Sequence, residues 1–145
     1  MTARAGGPPS GPGRNVRVAV WWTLLAVWAA CVWTLSASSH PAEDIHWRWA
    51  MPDKVAHGLE YAVGGFLARG AFAASGARWS PWALAVLLCA AWGFTDEIHQ
   101  GFVPGRETDP LDLLADVTGA SLGAAIHAAV AMLPGRLPPW ARRSR

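Results

Sequence analysis

Apolar residues along this chain fall into four long blocks, separated by short polar or proline-bearing joints. Val18 to Leu35 runs eighteen residues without a charge and holds Trp21, Trp22, Trp28 and Trp33. Val55 to Ala74 is apolar apart from His57, Glu60, Tyr61 and Arg69. Pro81 to Phe94 is wholly apolar and leads into Thr95-Asp96-Glu97-Ile98-His99-Gln100. Leu111 to Leu133 contains Asp112, Asp116 and His127. No stretch alternates with period two, and apolar blocks of this length favour helices. A spanning helix takes about 20 residues. The pattern therefore predicts an all-α, polytopic membrane protein, an antiparallel bundle of four transmembrane helices. Pro81 suits the first turn of the third helix, and Pro134-Gly135 marks the end of the fourth. A cleaved signal peptide is the competing reading of the first block, but that block exceeds the usual ~7–15 residue apolar core of such a signal.

Composition sharpens the picture. With 145 residues, 52% of them hydrophobic, four spans and short loops consume almost the whole chain, leaving no room for a second soluble domain. The Gly-, Pro- and Arg-rich residues 1–15 have little to bury and read as a disordered cytoplasmic tail. Residues 16–135 form the four-helix membrane domain, and 136–145 a basic cytoplasmic tail. Cys31 and Cys89 both sit in apolar runs, so they read as core packing and not as a disulfide framework. The net charge of +2 hides a marked segregation. With four spans and a cytoplasmic N-terminus, Arg4, Arg14, Arg17, Arg69, Arg78, Arg136, Arg142, Arg143 and Arg145 lie inside, against Arg48, Lys54 and Arg106 outside. That asymmetry places both termini in the cytoplasm of a multi-pass cell-membrane protein. All ten acids fall on the outer side or in the outer halves of spans, which orientation rules do not explain.

Antiparallel connectivity gathers these acids. The polar residues of the second helix lie at its start, those of the third at its end, and those of the fourth at its start. Asp53, His57, Glu60 and Tyr61 follow the i, i+4, i+7, i+8 spacing of one helical face. Asp96 and Gln100 are i, i+4 neighbours, as are Asp112 and Asp116, with Gly119 and Gly123 further along the same side. Glu60 and Asp116 each lie seven residues into their helices, about 10 Å deep at 1.5 Å per residue. A charge deep in a bilayer costs roughly 2.5–3.5 kcal/mol on insertion scales, so these groups are expected to face inward, pair, hold protons or line a wet cavity. Gly119 and Gly123 form a small-xxx-small pair that lets the fourth helix approach a neighbour closely. Between helices three and four, Pro104-Gly105 suits a type II turn that folds Arg106 toward the mouth of the bundle. Thr108 or Asp109 suits the cap of the fourth helix, with Asp112 favourable in its first turn.

The candidate chemistry follows from residue type. His57 with Glu60 and Tyr61 suits a general base with an orienting acid, and Asp96, Glu97, Asp112 and Asp116 suit positioning of a cation or water. Asp53, Lys54, Tyr61, Gln100, Arg106, Asp109, Asp112 and Asp116 are the candidate ligand-binding groups, Arg106 through its planar fork for phosphate or carboxylate. The competing reading is a hydrogen-bonded and ion-paired network joining helices, with Lys54 and Arg106 neutralising the acids. No His-x-x-x-His spacing supports zinc, and the sequence assigns no metal, cofactor or oligomeric state. His99 fits an interface, His127 a satisfied core histidine, and His40 and His46 carry no signal. Trp47, Trp49, Trp79, Trp82 and Trp140 fall near proposed interfaces, where indole rings anchor. The basic end Arg142-Arg143-Ser144-Arg145 suits anionic lipid and not nucleic acid.

The pattern Asp53-Lys54-x-x-His57-x-x-x-Tyr61, then Asp96-Glu97-x-x-Gln100-x-Phe102-Val103-Pro104-Gly105-Arg106, then Asp109-x-x-Asp112-x-x-x-Asp116-x-x-Gly119-x-x-x-Gly123, resembles the VanZ-like family over about residues 51–125. The resemblance implies a small multi-helix bacterial membrane protein; the namesake is associated with resistance to the glycopeptide antibiotic teicoplanin. Family members often carry Asn near position 116, where this chain has Asp116. Three functions fit the pattern. One is an outward-facing acidic and histidine pocket that recognises a polar or anionic envelope molecule, such as a lipid-linked cell-wall intermediate, a lipid head group or a glycopeptide. Another is a membrane-embedded enzyme using the same cluster on such a substrate. The last is a structural polar network whose function lies with a partner protein.

Overall fold

The computed structural model describes residues 12–37, 53–106 and 108–133, with the Asp53 side chain excepted. Those residues form four helices and no strand: α1 (Pro12–Ser36), α2 (Asp53–Ser75), α3 (Pro81–Gln100) and α4 (Pro110–Met132). The expected tail through residue 15 is shortened, because residues 12–15 already belong to α1. Pro12 opens that helix, where a proline lacks only a donor that would be unsatisfied anyway. The remaining tail residues and His40, His46, Trp47, Trp49 and Trp140 lie outside the described residues. By length and composition, α1 and α4 can each cross a membrane; among the described residues they alone meet that measure.

Local signals start and stop the helices where the sequence places them. Ser80 caps α3 through its hydroxyl, which accepts from the Ala83 N–H, and Pro81 follows at the first helical position. Asp109 caps α4 the same way, accepting from Leu111 N–H at 2.9 Å, with Pro110 next and Asp112 in the first turn. Gly76, at φ 72°, turns the chain after α2, a left-handed conformation that a Cβ disfavours.

Helix α2 is the centre of the assembly and packs against the other three. Its most extensive partner is α4, and the reason is backbone-level contact. A Cβ at Gly119 would collide with the Gly58 carbonyl, one at Gly123 with the Ala62 carbonyl, and one at Gly65 with Ala120. The small-xxx-small pair thus does what its spacing predicts. Helix α1 lies on α2 through large rings set over glycines: Trp21 over Gly70 and Trp28 over Gly64. Leu25 and Val32 continue that stripe into the core with Ala68, Ala71, Ala85, Cys89, Ala120 and Ala124. Cys31 corrects the expectation of two core cysteines: it is exposed, and only Cys89 is buried. It falls beside Val27 and Thr34 on the face of α1 turned away from α2.

Candidate functional site

The polar residues of α2, α3 and α4 meet at one end of the assembly. On α2, His57 and Tyr61 are buried, and on α3 so are Asp96, Glu97 and Gln100. On α4, Asp112 and Asp116 are buried, with Asp116 only 1% exposed. The helical spacing explains the grouping, since i, i+4 pairs on each helix share the inward face.

Each helix is tied to another by one of these groups. His57 Nδ1 lies 3.0 Å from Asp116 Oδ1, joining α2 to α4. Lys54 Nζ donates to Asp109 Oδ2 at 2.5 Å and also to Asp112, clasping the starts of the same two helices. This ammonium holds the Asp109 carboxyl below its ordinary pKa, helped by the Leu111 N–H. Glu97 Oε2 accepts from the Asp109 N–H at 3.0 Å, pinning the end of α3 to the cap of α4. Gln100 Nε2 donates to Asp96 Oδ2 at 3.0 Å across one turn of α3. Between α3 and α4 the chain turns at Val103–Arg106, closed by the Arg106 N–H donating to Val103 O at 3.1 Å. Gly105 takes the positive φ, 80°, required at the third position of a type II turn. The expected turn is therefore present, and it brings Arg106 back to the site.

The resulting space has two parts that share His57, Gln100 and Arg106. The outer part is a mouth of about 310 Å³, which also reaches Lys54, Gly105, Asp109 and Asp112. The inner part is a chamber on the scale of a single water molecule, bounded by Ser36, Glu60, Tyr61 and Asp96 together with Val32 and Leu35. Among the described residues, four polar atoms on this inner wall are buried without a hydrogen-bond partner: Ser36 Oγ, Tyr61 Oη, Asp96 Oδ1 and Arg106 Nε. Leaving such an atom unsatisfied costs about 1–3 kcal/mol, so a partner from outside the chain would relieve a real penalty.

Three contributors were not visible as site residues in the sequence. Ser36 comes from α1, a helix without charge in its apolar run, yet it falls at i+4 from Val32 and so extends the buried stripe of that helix. Trp28 stacks edge-on to Tyr61, with centroids 5.4 Å apart, and its indole N–H donates to the Glu60 carbonyl at 2.9 Å. Gly93 makes room for the cluster: a Cβ there would come within 2.6 Å of Asp116 Oδ2 and 3.3 Å of Tyr61 Oη. His99 packs on Trp33, centroids 4.1 Å apart, as an interface residue. His127 has a partner far from the site, Arg69 Nη1 at 2.6 Å, and is flanked edge-on by Trp21 and Phe66. The side chains of Asp53 and Glu107 lie outside the described part.

Among the described residues, no group of three or more His, Cys, Asp or Glu side chains is arranged to hold a metal ion. Chemically, the site offers a carboxylate-oriented imidazole, a row of carboxylate acceptors, a phenol and a guanidinium around one opening.

The family model described as VanZ/LLP1 matches residues 32–131, which take in α2, α3 and α4 and the end of α1. No curated protein and no solved structure matches the chain. The matched stretch covers well over half of the sequence and contains every described residue of the polar cluster, so the chain belongs to the VanZ/LLP1 family.

Proposed function

We propose that this protein is a four-span membrane protein, both termini in the cytoplasm, whose pocket opens outward and recognises the polar head of an envelope molecule. The observation that carries the reading is the mouth of about 310 Å³, where Lys54, His57, Gln100 and Arg106 stand beside the carboxylates of Asp109 and Asp112 above a water-sized polar chamber. Lys54, Gln100 and Arg106 bring donors to that mouth and Asp109 and Asp112 bring acceptors, which suits a head group bearing an anionic oxygen and hydroxyl or amine hydrogens. Arg106 supplies the planar fork for phosphate or carboxylate. The carboxylates of Asp96 and Asp112 suit the donors of a sugar, peptide or glycerol head. A lipid-linked cell-wall intermediate, a lipid head group and a glycopeptide all carry such chemistry.

Two measurements test this. Titration of the purified protein with glycerol phosphate and with teicoplanin should give saturable binding of at least one, weakened about tenfold or more by Arg106→Ala. Absence of saturable binding by either discards the reading. In a Cys31→Ala background, a cysteine placed by Phe102→Cys should be labelled from outside intact cells, and one placed by Arg78→Cys should not. The reverse result discards the orientation.

The His57–Asp116 pair favours a second reading, in which the site also performs acid–base chemistry on its ligand. A carboxylate that orients an imidazole is a recurrent way to set a general base, and Glu60 is the further proton carrier. Ligand-dependent product from the purified protein, lost in Glu60→Gln or His57→Gln with binding retained, is the outcome this reading requires. Binding without product leaves the pocket as a recognition module.

A further inference from the structure

Outside the polar cluster, an apolar groove of about 590 Å³ runs along the seam of α2 and α4. Its floor is cut to backbone level by Gly58, Ala62 and Ala115, because the glycines that bring α2 and α4 together leave nothing to fill the seam. Leu59, Leu114 and Leu122 form its walls and are each more than half exposed. The groove extends from Leu111 to Ile126 along α4, fifteen residues, or about 22 Å at 1.5 Å per residue. One leaflet contributes half of a ~30 Å hydrocarbon core, so the groove can follow a lipid chain through the whole leaflet. Lys54 lines both the upper end of this groove and the polar mouth. Polar mouth and apolar groove therefore adjoin at Lys54.

We infer that the groove holds the hydrocarbon chain of a phosphate-headed lipid whose head sits in the mouth. This deepens the proposed function and rests on it: the ligand is an amphiphile, held by its tail as well as its head. Arg106 meets the phosphate, Lys54 marks the crossing from head to chain, and the small residues of the seam let the chain lie against backbone.

The test uses the full chain in nanodiscs with phosphatidylglycerol carrying a diazirine on its acyl chain, crosslinked by light and mapped by mass spectrometry. The expected result is labelling concentrated on the seam and reduced about tenfold by Thr118→Trp, which fills the groove from its exposed side at a cost in chain contact of roughly two methylenes. Ala115→Leu provides a second, smaller obstruction if the tryptophan variant does not fold. Leu87→Trp, on the outward face of α3, should leave the pattern unchanged. Arg106→Ala, and a diacylglycerol probe with the same chain but no phosphate, should each lower seam labelling about tenfold. Labelling spread evenly over all apolar faces overturns the inference, and glycerol phosphate binding that still depends on Arg106 would then leave the head-group reading standing. Seam labelling that is blocked by Thr118→Trp but indifferent to Arg106→Ala and to the phosphate overturns the head-group reading and the link between head and tail.

Discussion

The same helices build both ends of this molecule, and they hold the two ends together by opposite means. At the site end, α2, α3 and α4 are joined by charged and polar side chains: Lys54 with Asp109 and Asp112, His57 with Asp116, Glu97 with the Asp109 N–H. Towards the other end, beside the polar contact of Arg69 with His127, they are joined mainly by the absence of side chains. Gly123 lies against the Ala62 backbone, and Ala68, Ala71 and Ala124 have no exposed surface at all. In lipid, helices gain nothing from burying apolar surface against each other, so close packing of small residues is what remains to hold them. The site end keeps that packing where Gly119 meets Gly58, and adds polar atoms and hydrogen bonds around the room it leaves. The comparison teaches that the glycine end is the anchor and the acidic end the device.

If so, damage to the anchor should be the more severe. Gly123→Leu forces a side chain into the Ala62 carbonyl, a backbone atom that cannot swing aside. Overpacking costs typically about 1–3 kcal/mol and occasionally more, and this site belongs at the upper end. Reversible unfolding in mixed micelles should show it as the largest loss of the series. A smaller loss than that from polar variants would invert the comparison.

Next in size comes the His57–Asp116 tie. Asp116→Ala leaves a buried imidazole nitrogen without its partner, at a cost of about 1–3 kcal/mol. Asp116→Asn keeps a hydrogen-bonding group of nearly the same shape and should recover most of that loss in the same assay. Equal losses in the two variants would mean that shape is not enough and that the carboxylate's charge matters in the folded state.

The smallest effect belongs to the rim. Lys54 lowers the pKa of Asp109, so ionised Asp109 favours the folded state. The contribution is present above the ordinary aspartate value of about 3.9 and is lost as pH falls through the lower, folded-state value. Asp109→Asn retains a good helix cap. Its melting curve should therefore lie slightly below the parent's near neutrality and converge with it in acid. A gap that persists or widens in acid would contradict the stated role of Lys54.

The sequence makes much of this legible because helical spacing converts directly into a shared face. His57 and Tyr61, Asp96 and Gln100, and Asp112 and Asp116 are each four apart, and each pair is buried as that spacing implies. Capping chemistry is local too, so Pro81, and Thr108 or Asp109, could be read as marking helix starts without any knowledge of tertiary contacts; the structure selects Asp109 as the cap. What spacing does not carry is which face of an unpatterned helix turns inward. Helix α1 is apolar all round, and so the exposure of Cys31 and the arrival of Ser36 at the chamber depend on how its tryptophans seat over Gly64 and Gly70. Gly93 was invisible for a related reason: its value is the volume it leaves to Asp116 and Tyr61, two residues far away along the chain.

Arg106 sits on a turn and belongs to no helix, which separates two kinds of evolutionary freedom. A residue on α2 or α4 is locked to a register that Gly58, Gly119 and Gly123 dictate, and it cannot shift without moving the whole rod. The Val103–Arg106 turn is held by its own backbone bond and the positive φ of Gly105, neither of which involves the Arg106 side chain. An exchange of Arg106 alone can therefore alter the charge over the opening while the rods stay in place.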